Sequence, residues 1–153
     1  MYLLDTNVVS ELRKVGTGKA DAAVVAWARM QSNHALFLSA ISVMEFEIGI
    51  LQIQRRDTHQ GLLLRNWFEK QVLPEFQDRI LPIDTEVALQ CAKLHVPDPR
   101  SERDALIAAT ALVHHLTVVT RNIGDFQASG VATINPWLFT GEKSKTVVNP
   151  KSD

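Results

Sequence analysis

Short apolar runs alternate along this chain with longer stretches whose apolar positions recur at helical spacing, the signature of a parallel sheet covered by helices. The runs predict strands at Tyr2–Leu4, Ala35–Leu38, Ile80–Ile83, Thr117–Val119 and Val131–Ile134. Between the first two lie helical segments at Val8–Leu12 and Ala20–Gln31, separated by "KVGTGK", whose glycines read as a turn. That string lacks the spacing of a phosphate-binding loop and no strand feeds it, so it carries no nucleotide role. Two longer helical stretches follow, Ser42–Gln54 and Leu62–Phe76, with Pro74 expected to end the second. They offer Phe46, Ile50, Ile53, Leu63, Trp67 and Phe68 as an apolar set. Asp84–His95 and Ser101–His115 form a further helical pair, broken by the prolines of "VPDPR". The pattern stops at about residue 140, and the polar segment 141–153 reads as a loose tail, so residues 1–140 are expected to form one domain.

Composition narrows the function classes. The chain has 153 residues, 46% of them hydrophobic and 22% charged, an ordinary globular balance. With 16 basic against 17 acidic residues it has no broad basic field, so contact with a nucleic acid would need local arginines or bound cations. The single cysteine, Cys91, excludes an internal disulfide and sits at helical spacing in "EVALQCAKLH", which makes it a packed core thiol in a reducing compartment. The opening apolar run is interrupted by Asp5 after a few residues, too short for a targeting or spanning segment. A cytoplasmic protein with no membrane role is expected.

Carboxylates recur where strands or loops end. Asp5 follows the first strand in "MYLLDTNVVSEL", Glu45 lies beyond the second in "SAISVMEFEIG", Asp104 opens a helix in "SERDALIAATAL", and Asp125 follows the fourth strand in "TVVTRNIGDF". Helix capping explains each one singly. Ser42 to Glu45 and Ser101 to Asp104 have capping-box spacing, Asn122 to Asp125 is similar, and Asp5 can hold the turn after it. Capping does not explain why acids follow three different strands on what would be one edge of the sheet, the edge where open α/β folds bind ligands. Each acid also has short hydrogen-bonding neighbours, Thr6, Asn7, Ser42, Thr120 and Asn122, suited to orienting carboxylates or water.

Four converging carboxylates need a counter-charge. Two unit charges at ~4 Å repel by about 4 kcal/mol at an effective dielectric of ~20, so such a cluster alone would take up protons or splay apart. Oxygen-only ligands select hard cations, Mg²⁺ or Mn²⁺, and the chain has neither paired cysteines nor a zinc-type histidine spacing. Two such ions roughly 3.5–4 Å apart are a common device for in-line attack of water on a phosphodiester.

Taken in order, "LLDTNVVSEL", "SAISVMEFEIGI", "RDALIAATAL" and "VVTRNIGDF" resemble a PIN domain, and in detail the VapC toxins of bacterial toxin–antitoxin pairs, FitB-like branch. The resemblance runs from about Met1 to Trp137. It implies a parallel sheet of about five strands sandwiched by helices. The activity it implies is Mg²⁺- or Mn²⁺-dependent endoribonuclease cleavage of RNA, silenced by a cognate antitoxin. It further implies a homodimer, which the antitoxin can extend into a larger hetero-oligomer. Asp5 matches the family's first acid and Asp104 its third. Glu45 matches the acid four residues before a glycine, here Gly49. Asp125 matches the acid of a T-x-N-x-x-D-F element with Thr120 and Asn122 in its polar positions. On this reading Asp5, Asp104 and Asp125 ligate metal, Glu45 ligates or positions water, and Thr6, Asn7, Thr120 and Asn122 orient them.

Other residues are read more plainly. Glu47 is turned to a different helix face from Glu45 and is expected to face solvent or the antitoxin. Arg121, beside the proposed metal site, is weighed between phosphate contact and a surface role, and Trp27, Trp67 and Trp137 are taken as core or interface anchors. Two competing readings stand beside the nuclease. One is a catalytically silent PIN-like protein-binding module. The other is a phosphatase or phosphoacceptor with Asp5 as nucleophile, disfavoured because Asn7 stands where a second acid is wanted and Arg121 is the only base at the "TVVTRN" strand end.

Overall fold

Leu3 and Leu4 are fully buried on opposite faces of their strand, which requires apolar layers on both sides of it. The computed structural model, which describes residues 1–141, meets that requirement by placing β1 (Tyr2–Leu4) at the centre of a five-stranded parallel sheet. Its partners are β2 (Leu36–Ser39), β3 (Ile80–Leu81), β4 (Thr117–Val119) and β5 (Thr133–Ile134), in the order β3-β2-β1-β4-β5. Tyr2 lies opposite Leu36 on one side and Thr117 on the other, which fixes the register of the three central strands. The strand order therefore reverses beside β1, where the chain leaves β3 and returns to pair β4 against the other flank.

Helices cover both faces. Leu4, Val8, Val24, Trp27, Phe46 and Phe68 build one core layer, while Leu3, Ile107, Ala108, Val118 and Phe126 build the other. The first layer draws on α1 (Thr6–Arg13), α2 (Ala22–Arg29), α3 (Ala40–Arg56) and α4 (Thr58–Trp67). The second draws on α7 (Glu102–Val113), against which α6 (Thr85–Leu94) packs with Val87 and the buried Cys91. The fold is the parallel five-stranded sandwich expected. Among the described residues no helix is long and apolar enough to cross a membrane. The expected tail over 141–153 lies outside the described residues but for Gly141.

Several boundaries differ for physical reasons. The helix expected to start at Ser42 starts at Ala40, because Ser39, the last residue of β2, accepts the Ile41 N–H at 3.0 Å and caps it. Ser42 is thus inside α3, fully buried, and not a cap. The Leu62–Phe76 stretch begins earlier, at Thr58, since Asp57 both ends α3 and accepts from Gln60 N–H to cap α4. That helix widens into a π-turn over Phe68–Val72 before a last turn, α5 (Leu73–Glu75), which stops just after Pro74 as expected.

Two helical glycines make opposite predictions. A Cβ on Gly61 would stand 2.7 Å from the Cα of Gln54, so only glycine lets α4 approach α3 so closely. Gly49, inside α3, has open space at the same position. Gly61→Ala should lower stability by about 1–3 kcal/mol, and Gly49→Ala should raise it by about 0.5–1 kcal/mol through helix propensity. Urea denaturation midpoints measure both.

Candidate active site

The site is assembled where β1 ends. The Asp5 N–H donates to Val119 O at 2.9 Å, one rung beyond the strand pairing, and so ties the chain to the end of β4. Its side chain then serves two structures at once. Oδ1 accepts the Thr6 N–H at 2.8 Å and caps α1, while Oδ2 accepts the Thr120 hydroxyl at 2.8 Å and Asn7 Nδ2 at 3.3 Å. Capping and site-building are the same act for this residue.

Glu45 comes from the second turn of α3, Asp104 from the first turn of α7, and Asp125 from the short 3-10 turn Ile123–Asp125 after β4. All four acids line one open cavity of about 460 Å³ at the carboxyl edge of the sheet, beside the reversal of strand order. A larger cavity, about 600 Å³, lies against Leu12, Trp67, Val72 and Phe76 and is mostly apolar, so the chemistry belongs to the smaller one.

The neighbours hold these oxygens in place. Thr6 Oγ1 donates to Glu45 Oε1 at 3.0 Å, linking α1 to α3. Asn7 Nδ2 also reaches Thr120 Oγ1 at 3.4 Å, and Asn7 Oδ1 accepts the Arg121 N–H at 3.3 Å. Thr120 Oγ1 in turn accepts the Asn122 N–H at 3.0 Å. The Asn122 side chain lines the cavity.

Burial and mutual repulsion raise the affinity of this cluster for positive charge. Burial pushes the Asp5 carboxyl above the usual aspartate range; hydrogen bonds from Thr120 and Thr6 oppose this, and the Asp125 charge adds to it. Burial likewise raises Asp104, reinforced by the charges of Asp125 and Asp5. Glu45 is raised by burial first, then by Asp5 and Asp104, against the Thr6 hydrogen bond and the Arg103 charge. A divalent cation would offset these terms, and no cysteine or histidine lines the cavity to favour a softer metal. The donor set fits Mg²⁺ or Mn²⁺.

The carboxylates share a cavity wall, but they are not drawn into a closed ligand set. Among the described residues no three acidic, histidine or cysteine side chains gather tightly enough to hold an ion as they stand. Three of the four are instead held by local donors: Asp5 by Thr6 and Thr120, Asp104 by Ser101, and Glu45 by Thr6, with Arg103 3.9 Å away. Like charges favour that spacing.

Sequence reasoning missed some of the lining and one ion pair. Ser10 and Glu11 line the cavity, and their spacing from Asn7, three and four residues on along α1, was the available signal. Glu11 Oε1 accepts the Asp21 N–H at 2.8 Å and so fixes α1 to the start of α2. Glu47, expected to face solvent or the antitoxin, keeps a side chain 40% exposed and pairs bidentately there with Arg65 of α4. The helix face away from Glu45 is the one that α4 packs against.

Comparison with known proteins places this geometry in a family. A family model described as PIN domain matches residues 2–128. The chain is 38% identical over 144 residues to VapC ribonuclease Y4jK of Sinorhizobium fredii, covering 90% of this chain and 98% of that one. It is 38% identical over 143 residues to Toxin FitB of Neisseria gonorrhoeae, covering 90% and 99%. The fold superposes on a chain of the crystal structure of FitAcB from Neisseria gonorrhoeae with a TM-score of 0.81 and 37% identity, covering 91% of this chain and 100% of that one.

The raised acids set a pH-dependence. The folded chain holds protons on Asp104 that the unfolded chain has released, so stability falls as pH climbs from the ordinary aspartate value of 3.8 through the raised one. Asp104→Asn removes that penalty. In EDTA its denaturation midpoint should lie above the parent's at neutral pH, and the gain should fade as the pH nears 3.8.

Proposed function

Because the chain belongs to the PIN domain family, we propose that it is an endoribonuclease toxin that hydrolyses RNA phosphodiester bonds and is silenced by a cognate antitoxin. The observation that carries this reading is the convergence of Asp5, Glu45, Asp104 and Asp125 on one cavity, from four separate segments, at the sheet edge where the strand order reverses. The ribonuclease and toxin names of the full-length relatives support the same class of reaction.

Asp5, Asp104 and Asp125 would hold one or two Mg²⁺ or Mn²⁺ ions, with Glu45 ligating or positioning water. When bound, such an ion lowers the pKa of water and neutralises charge developing on the phosphate and leaving oxygen. The protein's own part is positional. Thr120 and Asn7 fix the Oδ2 edge of Asp5, and Thr6 aims Glu45. The raised proton affinities reflect negative charge crowded into a partly buried space, which a bound cation would relieve.

An apolar trough of about 290 Å³ beside the acids is where the antitoxin would lie. Thr6, Ser10 and Glu45 border both spaces, and the trough continues over Phe46, Ile50 and Leu64 to Trp67. A partner segment lying there would reach the carboxylates and deny them to RNA. Exposed Leu51 on α3 and Leu62 and Leu63 on α4 offer the apolar surface for a homodimer, and the antitoxin would extend the pair into a larger hetero-oligomer.

Purified protein with Mn²⁺ and a mixed single-stranded RNA should cleave, and EDTA should stop it. Asp5→Asn should lower the rate about a hundredfold or more while the protein remains folded by circular dichroism. Unimpaired cleavage by Asp5→Asn, or cleavage that EDTA leaves unchanged, would overturn the proposal. Absence of any cleavage by the parent would favour a module that only binds protein.

A further inference from the structure

The acidic cavity poses a problem for a polyanionic substrate, and among the described residues its wall contains one cation. Arg121 lines the cavity together with Trp137, and the guanidinium carbon lies 5.1 Å from the indole centroid. Both residues are fixed through their backbones. Asn7 accepts the Arg121 N–H, Asn135 Nδ2 donates to the Arg121 carbonyl at 3.4 Å, and Asn135 Oδ1 accepts the Trp137 N–H at 3.0 Å. Asn135 thus ties the segment after β5 to the end of β4, and the stacked pair is the result.

Three further facts set the pair apart. Arg65, Arg79 and Arg103 each stand within 4.0 Å of a carboxylate, whereas Arg121 makes no such ion pair among the described residues, although five carboxylates line the same cavity. Its charge is nonetheless felt by Glu11 on the cavity wall. Its side chain is exposed, with the half-buried indole behind it. A guanidinium held over an aromatic ring keeps N–H donors free for phosphate oxygens, and the contact removes some of the rotamer freedom that binding would otherwise cost.

We infer that Arg121, held by Trp137, is a substrate-positioning residue that grips a phosphate of single-stranded RNA next to the one facing the carboxylates. This rests on the ribonuclease reading above and supplies what that reading lacks, a local attraction for RNA in a chain with no basic field. Trp137 acts through Arg121 by holding the guanidinium at the cavity wall.

Two measurements on the full chain test this. The first is fluorescence anisotropy of a labelled single-stranded oligoribonucleotide in EDTA, where no cleavage occurs, across a range of KCl concentrations. The second is Mn²⁺-dependent cleavage, resolved into KM and kcat. Arg121→Ala should weaken binding about tenfold and raise KM more than it lowers kcat. It should also reduce the slope of log affinity against log salt by about one. Arg121→Lys should keep the salt slope and recover part of the affinity, a pattern that a purely structural role would not give. Trp137→Ala should weaken binding about threefold, and Trp137→Phe should retain most of it. Circular dichroism of each variant checks folding, and the exposed Arg121 variants remain decisive if Trp137→Ala unfolds. A parent that cleaves RNA beside an Arg121→Ala variant with unchanged KM and salt slope overturns this inference alone. Loss of partner-protein binding with unchanged RNA parameters reassigns the pair to protein recognition and also overturns it. A parent that neither binds nor cleaves RNA overturns this inference and the ribonuclease reading together.

Discussion

One short set of hydrogen bonds joins the end of β1 to the end of β4, and the site depends on it. Asp5 N–H reaches Val119 O, and the Thr120 hydroxyl reaches Asp5 Oδ2, so the two strands on either side of the order reversal are locked at their carboxyl ends. That lock sets where α1 leaves the sheet, because the other oxygen of Asp5 caps α1. It also sets where the turn carrying Asp125 begins, since Asn122 is hydrogen-bonded to the same Thr120 oxygen. The remaining acids then reach the cavity from α3 and α7, which lie against opposite faces of the sheet.

Such a concentration of carboxylates is unfavourable to folding on its own terms. Three of the four acids are pushed upward in pKa, burial being the largest cause in each, and their mutual charges add to it. The rest of the domain offsets this with a well-filled core on both sides of the sheet. Leu3, Leu4, Val118 and Val119 are all fully buried within a few residues of the acids, so the strand ends are rigid where the side chains must be accurate. A site that is costly to fold and sits on stiff elements is the usual compromise between stability and activity.

The α3–α4 pair has a related division of labour. Gly61 permits close approach, and the Glu47–Arg65 pair fixes the two helices on the side away from Glu45. The other side carries Phe46, Ile50 and Trp67 to the trough that meets the acids at Glu45 and Thr6. One helix, α3, thus presents a carboxylate to the cavity, an apolar stripe to the trough and a charged pair to its neighbour, three faces that follow from helical period.

The local pattern was enough to determine the strands and most of the helices and to pick out four acids that line one cavity, because burial on both faces demands continuous apolar runs and because short polar residues collect around strand ends. Ser39 as the true cap of α3 and the early start of α4 at Thr58, capped by Asp57, were not legible, since several serines and aspartates close together can each satisfy a helix end and packing chooses among them. The pairing of Glu47 with Arg65, and of Arg121 with Trp137, joins residues far apart in the chain, and no spacing rule encodes such contacts. The sequence alone determined which side chains were available for chemistry. Only the tertiary structure decided which of them face one another, because the strand order that brings residues 5 and 120 side by side is a property of the whole sheet.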